Sequence, residues 1–192
     1  MWRLPDEAAA AWRTAEPFPH LVVDDCCTDL DRVFAVLDDE HVDRYAADLF
    51  AFEATAPQPT TAAFRELRDE FARALSPVLS RITGKAVTNA DMRGFAYRAG
   101  HYLLPHTDHQ DGLERRIAYA YYLPSPDPPV GGELELYRCA LAAGELVATE
   151  PACVIEPRGN RLVVFDVSDV SLHQVREVVA GLRISLAGWF YP

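Results

Sequence analysis

The sequence predicts a mainly β, α+β fold in which a jelly-roll double sheet packs on N-terminal helices. Three observations carry this. Before about residue 85, apolar residues recur mostly at helical spacing. After it, they alternate with period two. Turn signals at Pro124 to Pro129, Gly131-Gly132 and Pro157-Arg158-Gly159-Asn160 then divide the second half into short segments with no helix between them.

In chain order, Pro5 to Ala15 predicts a short helix that Pro17-Phe18-Pro19 ends. His20–Asp24 predicts a strand. Thr28 or Asp29 is placed to cap a helix running to about Tyr45. Thr61–Thr83 is the strongest helix. Its residues Phe64, Leu67, Phe71, Leu75, Val78, Leu79 and Ile82 step by three and four into one stripe, with Gly84 suited to its end and Pro77 a candidate bend. The expected strands of the second half are Arg93–Arg98, His101–Pro105, Ile117–Leu123, Glu133–Arg138, Cys153–Glu156, Arg161–Asp166, His173–Val178 and Arg183–Tyr191. At 192 residues, a single domain over 1–192 is expected, helical over about 1–85 and β over about 86–192.

Lys and Arg total 18 against 29 Asp and Glu, a net charge of −11. That balance argues against nucleic acid and anionic membranes as partners. No apolar run approaches a membrane span, and the first residues lack a signal core, so a cytoplasmic location is expected. Cys26, Cys27, Cys139 and Cys153 form no CxxC and are expected to be buried small hydrophobes. Oligomeric state is not readable.

His-x-Asp occurs at His41, His106 and His109. The pattern is short enough to recur by chance, so geometry must separate the three. His41 and Asp43 fall on an expected helix, where i and i+2 diverge. His109 and Asp111 fall in a polar loop. His106 and Asp108 end a strand in which Tyr102, Leu104, His106 and Asp108 would share a face. His173 opens another strand. Two histidines and one carboxylate on neighbouring strands make the facial triad of non-haem Fe(II) oxygenases, with three positions open. A zinc site on His101, His106 and His109 competes with this, but His101 and His106 face opposite sides of an extended chain.

Arg183 stands in an otherwise apolar strand and would share a face with Ser185, Ala187 and Trp189. Burying it calls for an anion. Its planar fork suits a carboxylate, and Ser185 adds a second donor.

The run Tyr97 to Asp108 resembles the Fe(II)/2-oxoglutarate-dependent dioxygenases of the prolyl-4-hydroxylase type. So do Tyr121-Tyr122-Leu123, Gly131-Gly132-Glu133-Leu134, Asn160 to Phe165, the His173 strand, Arg183-x-Ser185, and Pro17 to Asp25 near the start. The likeness is greatest to the ribosomal prolyl hydroxylases and similar short bacterial oxygenases. It implies a double-stranded β-helix (jelly roll) with His106, Asp108 and His173 as iron ligands. It implies Arg183, assisted by Ser185, on the far carboxylate of 2-oxoglutarate. Tyr97 and Tyr122 would line the cosubstrate pocket, with Val175 near it. Arg115, or equally Arg116, would face the substrate. The stretch from Asp108 to Arg115 matches no substrate class, and no second C-terminal domain is expected.

The activity so implied uses Fe(II), 2-oxoglutarate and O2, with ascorbate as a stimulant. It hydroxylates an unactivated C–H of an amino-acid-like substrate, whether a free amino acid, a peptide or a prolyl residue of a protein, and releases succinate and CO2. A carboxylate at 108 favours hydroxylation, since related halogenases carry a small residue there. Desaturation or cyclisation in natural-product biosynthesis is the alternative outcome. A non-catalytic metal-binding β-helix module is a further one.

Overall fold

A computed structural model describes residues 1–5 and 8–192. Its elements run α1 (Ala9–Thr14), β1 (His20–Asp24), α2 (Leu30–Asp38), β2 (Val42–Ala47), β3 (Phe50–Thr55) and α3 (Ala62–Thr83). Then come β4 (Asn89–Ala90), β5 (Arg93–Tyr97), β6 (Tyr102–His106), β7 (Ile117–Leu123), β8 (Val130–Gly131), β9 (Leu134–Ala142) and β10 (Glu145–Ile155). β11 (Arg161–Asp166), β12 (His173–Val175), β13 (Val178–Ala180) and β14 (Arg183–Tyr191) complete the chain. Of the helix expected over Pro5 to Ala15, Asp6 and Glu7 lie outside the described residues, and α1 covers Ala9–Thr14.

Twelve strands form one curled antiparallel sheet in the order β1-β11-β7-β14-β5-β3-β6-β12-β9-β10, with β2 added on β3 and β4 on β14, while β8 and β13 pair as a separate two-stranded sheet; this is the jelly roll expected from the alternating second half. β7 shows why the curl encloses a cavity. Every one of its residues is buried. Ile117, Tyr119, Tyr121 and Leu123 point to the helical layer, while Ala118, Ala120 and Tyr122 point inward. Alternation thus serves two cores from one strand.

α3 covers the outer face. Thr61 caps it, its Oγ1 accepting from Phe64 N at 3.2 Å, and Gly84 closes it with φ +74°. Pro77 lies inside the helix without ending it. Phe71 sits at the centre of the contact, its ring 4.7 Å from Tyr119, 4.9 Å from Trp2 and 5.5 Å from Phe190.

The first 85 residues are less helical than expected. α2 stops at Asp38, and a hairpin of β2 and β3 follows, so His41 and Asp43 do not lie on a helix. They pair with each other at 3.0 Å on the surface. Val42 and Tyr45 continue the three-residue spacing of α2, which hid the change of period. Glu40 supplies the reason for the break. It is buried, and its carboxylate accepts from the backbone N–H and hydroxyl groups of Thr60 and Thr61, tying the loop before β2 to the start of α3. β10 begins well before the expected Cys153 because it forms a long exposed hairpin with β9. For the same reason Cys139 and Cys153 are only half-buried, whereas Cys26 and Cys27 are buried, and all four are free thiols. Among the described residues, no helix is long and apolar enough to cross a membrane.

Candidate active site

The curl of the sheet leaves a cavity of ≈ 580 Å³, within the range of small-molecule sites. His106 is the last residue of β6, and His173, the first of β12, is its register partner. Their rings are 4.3 Å apart. Asp108 follows β6 in a loop, not in the strand itself, and is 8% exposed. Its Oδ1 lies 3.9 Å from His106 Nε2, and its Oδ2 lies 3.6 Å from His173 Nε2. All three ligand atoms lie within 4.8 Å of one another, and among the described residues this is the one such cluster.

The shared face expected for β6 is altered by a bulge. His173 and Val175 pair with His106 and Leu103, so Leu103 rather than Leu104 lines the cavity, and Leu104 is 40% exposed. Pro105 explains it, because it has no N–H to give the ladder.

Both imidazoles are oriented from behind. Nδ1 of His106 is 2.9 Å from the Leu104 carbonyl, and Nδ1 of His173 is 2.9 Å from that of Ser171. With Nδ1–H donating, each Nε2 lone pair is turned to the cluster. Burial pushes the His173 imidazole down to about 4, against the pull of Asp108, so it is neutral at pH 7 as a ligand must be. Phe165 packs at 4.6 Å against its ring. Two imidazoles and one carboxylate converging from one side suit Fe(II) with positions left open.

Arg183 sits deeper. It is 4% exposed, its guanidinium 4.6 Å from the Tyr97 ring centre and 4.9 Å from that of Tyr122. Nη1 donates to Ser185 Oγ at 3.4 Å. No carboxylate of the described residues lies within 4.0 Å, and its Nε and the Tyr122 hydroxyl are buried without partners. A buried guanidinium between two rings, facing a cavity, is costly unless an anion joins it. A dicarboxylate such as 2-oxoglutarate fits that requirement. Tyr97 remains a neutral phenol, since burial raises it to about 12 against the nearby Arg183 charge. Gly132 makes room for this arrangement. A Cβ there would lie 2.8 Å from Val178 Cγ2 and 3.1 Å from Arg183 Cδ.

The remaining expected residues separate. Val175 lines the cavity beside His173. Arg115 lines it too, its guanidinium 3.5 Å from the Trp189 ring centre and its Nη1 donating to the Asp108 carbonyl at 3.3 Å. Arg116 turns outward to a surface pocket with Lys85 and His109. His101 does not join a metal cluster; its Nδ1 accepts from the Arg98 backbone N–H at 3.2 Å. His109 pairs with Asp169 on the surface. Sequence reasoning missed Phe165, Asp91 and Arg93. Arg93-x-Phe95-x-Tyr97 is an alternating triplet ending on an expected site residue, and that was the available signal for Arg93.

The 2OG-Fe(II) oxygenase superfamily model matches residues 92–191. The prolyl 3-hydroxylase OGFOD1 of Mus musculus is 37% identical over 155 residues, covering 75% of this chain and 27% of the mouse protein. The chain thus spans about a quarter of that relative's length. A Pseudomonas putida prolyl-4-hydroxylase structure aligns with TM-score 0.70 over 97% of both chains at 20% identity. A Trichoplax adhaerens prolyl hydroxylase, solved with a hypoxia inducible factor oxygen degradation domain peptide, aligns with TM-score 0.66 at 15% identity, over 97% of this chain and 88% of that one. At those identities the two structures share the fold. With the family model covering half the sequence, the chain belongs to the 2OG-Fe(II) oxygenase superfamily, enzymes that use Fe(II), 2-oxoglutarate and O2.

Proposed function

We propose that this oxygenase hydroxylates a prolyl residue of a peptide or protein. The observation that carries the reading is the arrangement of one cavity. A His-Asp-His cluster lies on its wall, an unpaired buried guanidinium at one end, and the Arg115–Trp189 stack toward the other. The mouse relative's name as a prolyl 3-hydroxylase supports the prolyl target.

In this reading His106, Asp108 and His173 hold the iron, and Arg183 with Ser185 takes the far carboxylate of 2-oxoglutarate. Iron, 2-oxoglutarate and O2 together supply the oxidant that replaces a C–H hydrogen by hydroxyl, with succinate and CO2 as coproducts. The chain's own residues do the rest. The carbonyls of Leu104 and Ser171 hold the proton on each Nδ1 and so keep both Nε2 atoms available. The Tyr97 and Tyr122 rings flank Arg183 and keep water from the carboxylate it binds, which strengthens the pairing. Ala118 and Ala120 leave room on the β7 wall where larger side chains would fill the cavity. Arg115, fixed on Trp189 and on the Asp108 carbonyl, presents a guanidinium to the substrate beside the cluster.

The test is incubation in air with Fe(II), 2-oxoglutarate and a panel of prolyl peptides. Peptide-dependent succinate and a single added oxygen on proline are expected. Succinate formation with oxygen added at a residue other than proline overturns the prolyl assignment.

A further inference from the structure

We propose that Arg93 is a second anion-binding residue of the cavity, recognising a carboxylate of the substrate. The inference rests on the hydroxylase reading of the site and adds to it the chemical class of the substrate.

Arg93 opens β5, where it pairs in register with Ala187, while Tyr97 at the other end of β5 pairs with Arg183. Four residues of strand separate the two positions by about 13 Å. The two guanidiniums therefore serve different parts of one cavity that both line. Nε of Arg93 donates to the Thr55 carbonyl at 2.6 Å, and the head packs over the Tyr45 ring at 4.5 Å. These contacts fix the side chain from one side. Its Nη2 is buried with no partner, and no carboxylate of the described residues lies within 4.0 Å of the guanidinium. A guanidinium that lines the cavity, is fixed from one side and keeps a dehydrated donor without a partner is preorganised for an acceptor.

The charges around the cavity say which acceptor. Its other charged residues are Asp91, Asp108, Arg115 and Arg183. Asp108 belongs to the metal cluster, and Arg183 answers the far end of 2-oxoglutarate. Asp91 accepts from Trp189 N at 2.6 Å and from the Tyr191 hydroxyl at 3.0 Å, and it lies in the field of Arg115. Among the described residues neither Arg93 nor Arg115 has a carboxylate within 4.0 Å, but Arg115 donates through its terminal Nη1 to the Asp108 carbonyl and leaves only Nε without a partner, whereas in Arg93 it is the terminal Nη2 that lacks one. A carboxylate satisfies it better than a neutral carbonyl, since both partners are then charged. Two sources supply that group: the α-carboxylate of the oxidised residue itself, or an acidic side chain next to it.

Anaerobic calorimetric titration of the Fe(II)- and 2-oxoglutarate-loaded protein separates them. The probes are acetyl-proline against acetyl-prolinamide, and acetyl-Ala-Pro-Glu-amide against its Gln counterpart. In one pair the acid should bind about tenfold tighter than its amide. The ratio should fall to within about twofold in both Arg93→Met and Arg93→Gln, and Arg93→Lys should retain most of it. Arg93→Gln keeps a donor for the Thr55 carbonyl, so it remains informative if Arg93→Met does not fold. A purely structural Arg93 would weaken acid and amide alike and leave the ratio unchanged. Absence of any acid preference, absence of binding by all four probes, or a preference that survives in the neutral variants overturns the proposal. Oxygen insertion into the same probes is read separately by mass spectrometry in air. Discrimination without hydroxylation of proline overturns the prolyl reading and leaves Arg93 standing; hydroxylation without discrimination does the reverse.

Discussion

Asp108 Oδ2 lies 3.6 Å from His173 Nε2, although 65 positions of sequence separate the two residues. Their approach follows from the β6–β12 ladder, which sets His106 opposite His173 and lets the chain after β6 turn Asp108 into the same space. Replacing His173 by Ala should reduce Fe(II) affinity by more than about 100-fold, since removal of mere orienting partners already costs 10–100-fold. Metal content after dialysis measures this. Retention of stoichiometric iron would exclude His173 as a ligand.

Arg183 carries a stability prediction opposite in sign to its functional one. Its charge is buried without a carboxylate, so Arg183→Met should leave the unfolding temperature of the cofactor-free protein unchanged or raised. The same change should weaken 2-oxoglutarate binding by about 100-fold, the loss of a buried charge-assisted pair. 2-Oxoglutarate with Fe(II) should raise the unfolding temperature of the wild type far more than that of the variant, by mass action.

Gly132→Ala should reach the cosubstrate through packing. Its φ of +73° disfavours a side chain, and the added Cβ meets Val178 and the Arg183 stem. A stability loss of about 1–3 kcal/mol is expected, together with a rise in the KM for 2-oxoglutarate. An unchanged KM would show that the Arg183 stem has room to shift without moving its head.

Glu40 makes stability depend on acid. Burial pushes its carboxyl up, but the hydrogen bonds from Thr60 and Thr61 outweigh this and hold it below the usual value. A depressed folded-state pKa means that its contribution is complete above the unfolded value near 4.3 and is lost as pH falls through the folded one. Glu40→Gln should cost about 1–3 kcal/mol at pH 7 and flatten the fall of stability below about pH 4. Denaturant unfolding across that range measures both.

The parts of the fold legible in the sequence were those where one period held over a long run. α3 showed its stripe, and β7, β11 and β14 showed dense apolar segments between turn signals. The hairpin of β2 and β3 did not, because Val42 and Tyr45 prolong the spacing of α2, and the contact that ends the helix reaches from Glu40 to Thr60 and Thr61. The convergence of His106, Asp108 and His173 was legible because the two histidines sit at strand ends and Asp108 follows one of them by two residues, and Arg183 stood out as a charge in an apolar strand. Leu103 was not, since the bulge at Pro105 breaks the alternation that would have placed it. The alternation Arg93-x-Phe95-x-Tyr97 put Arg93 on the face of Tyr97, but its unpartnered Nη2 shows only in the structure.

The most direct test of the central claim is an anaerobic titration of Fe(II) into the protein with 2-oxoglutarate, followed by visible absorbance. A weak charge-transfer band is expected, saturating at a single iron per chain, absent in His106→Ala and requiring far more 2-oxoglutarate in Arg183→Met. No band in the wild type, or an unaltered band in His106→Ala, would contradict the assignment of the metal centre.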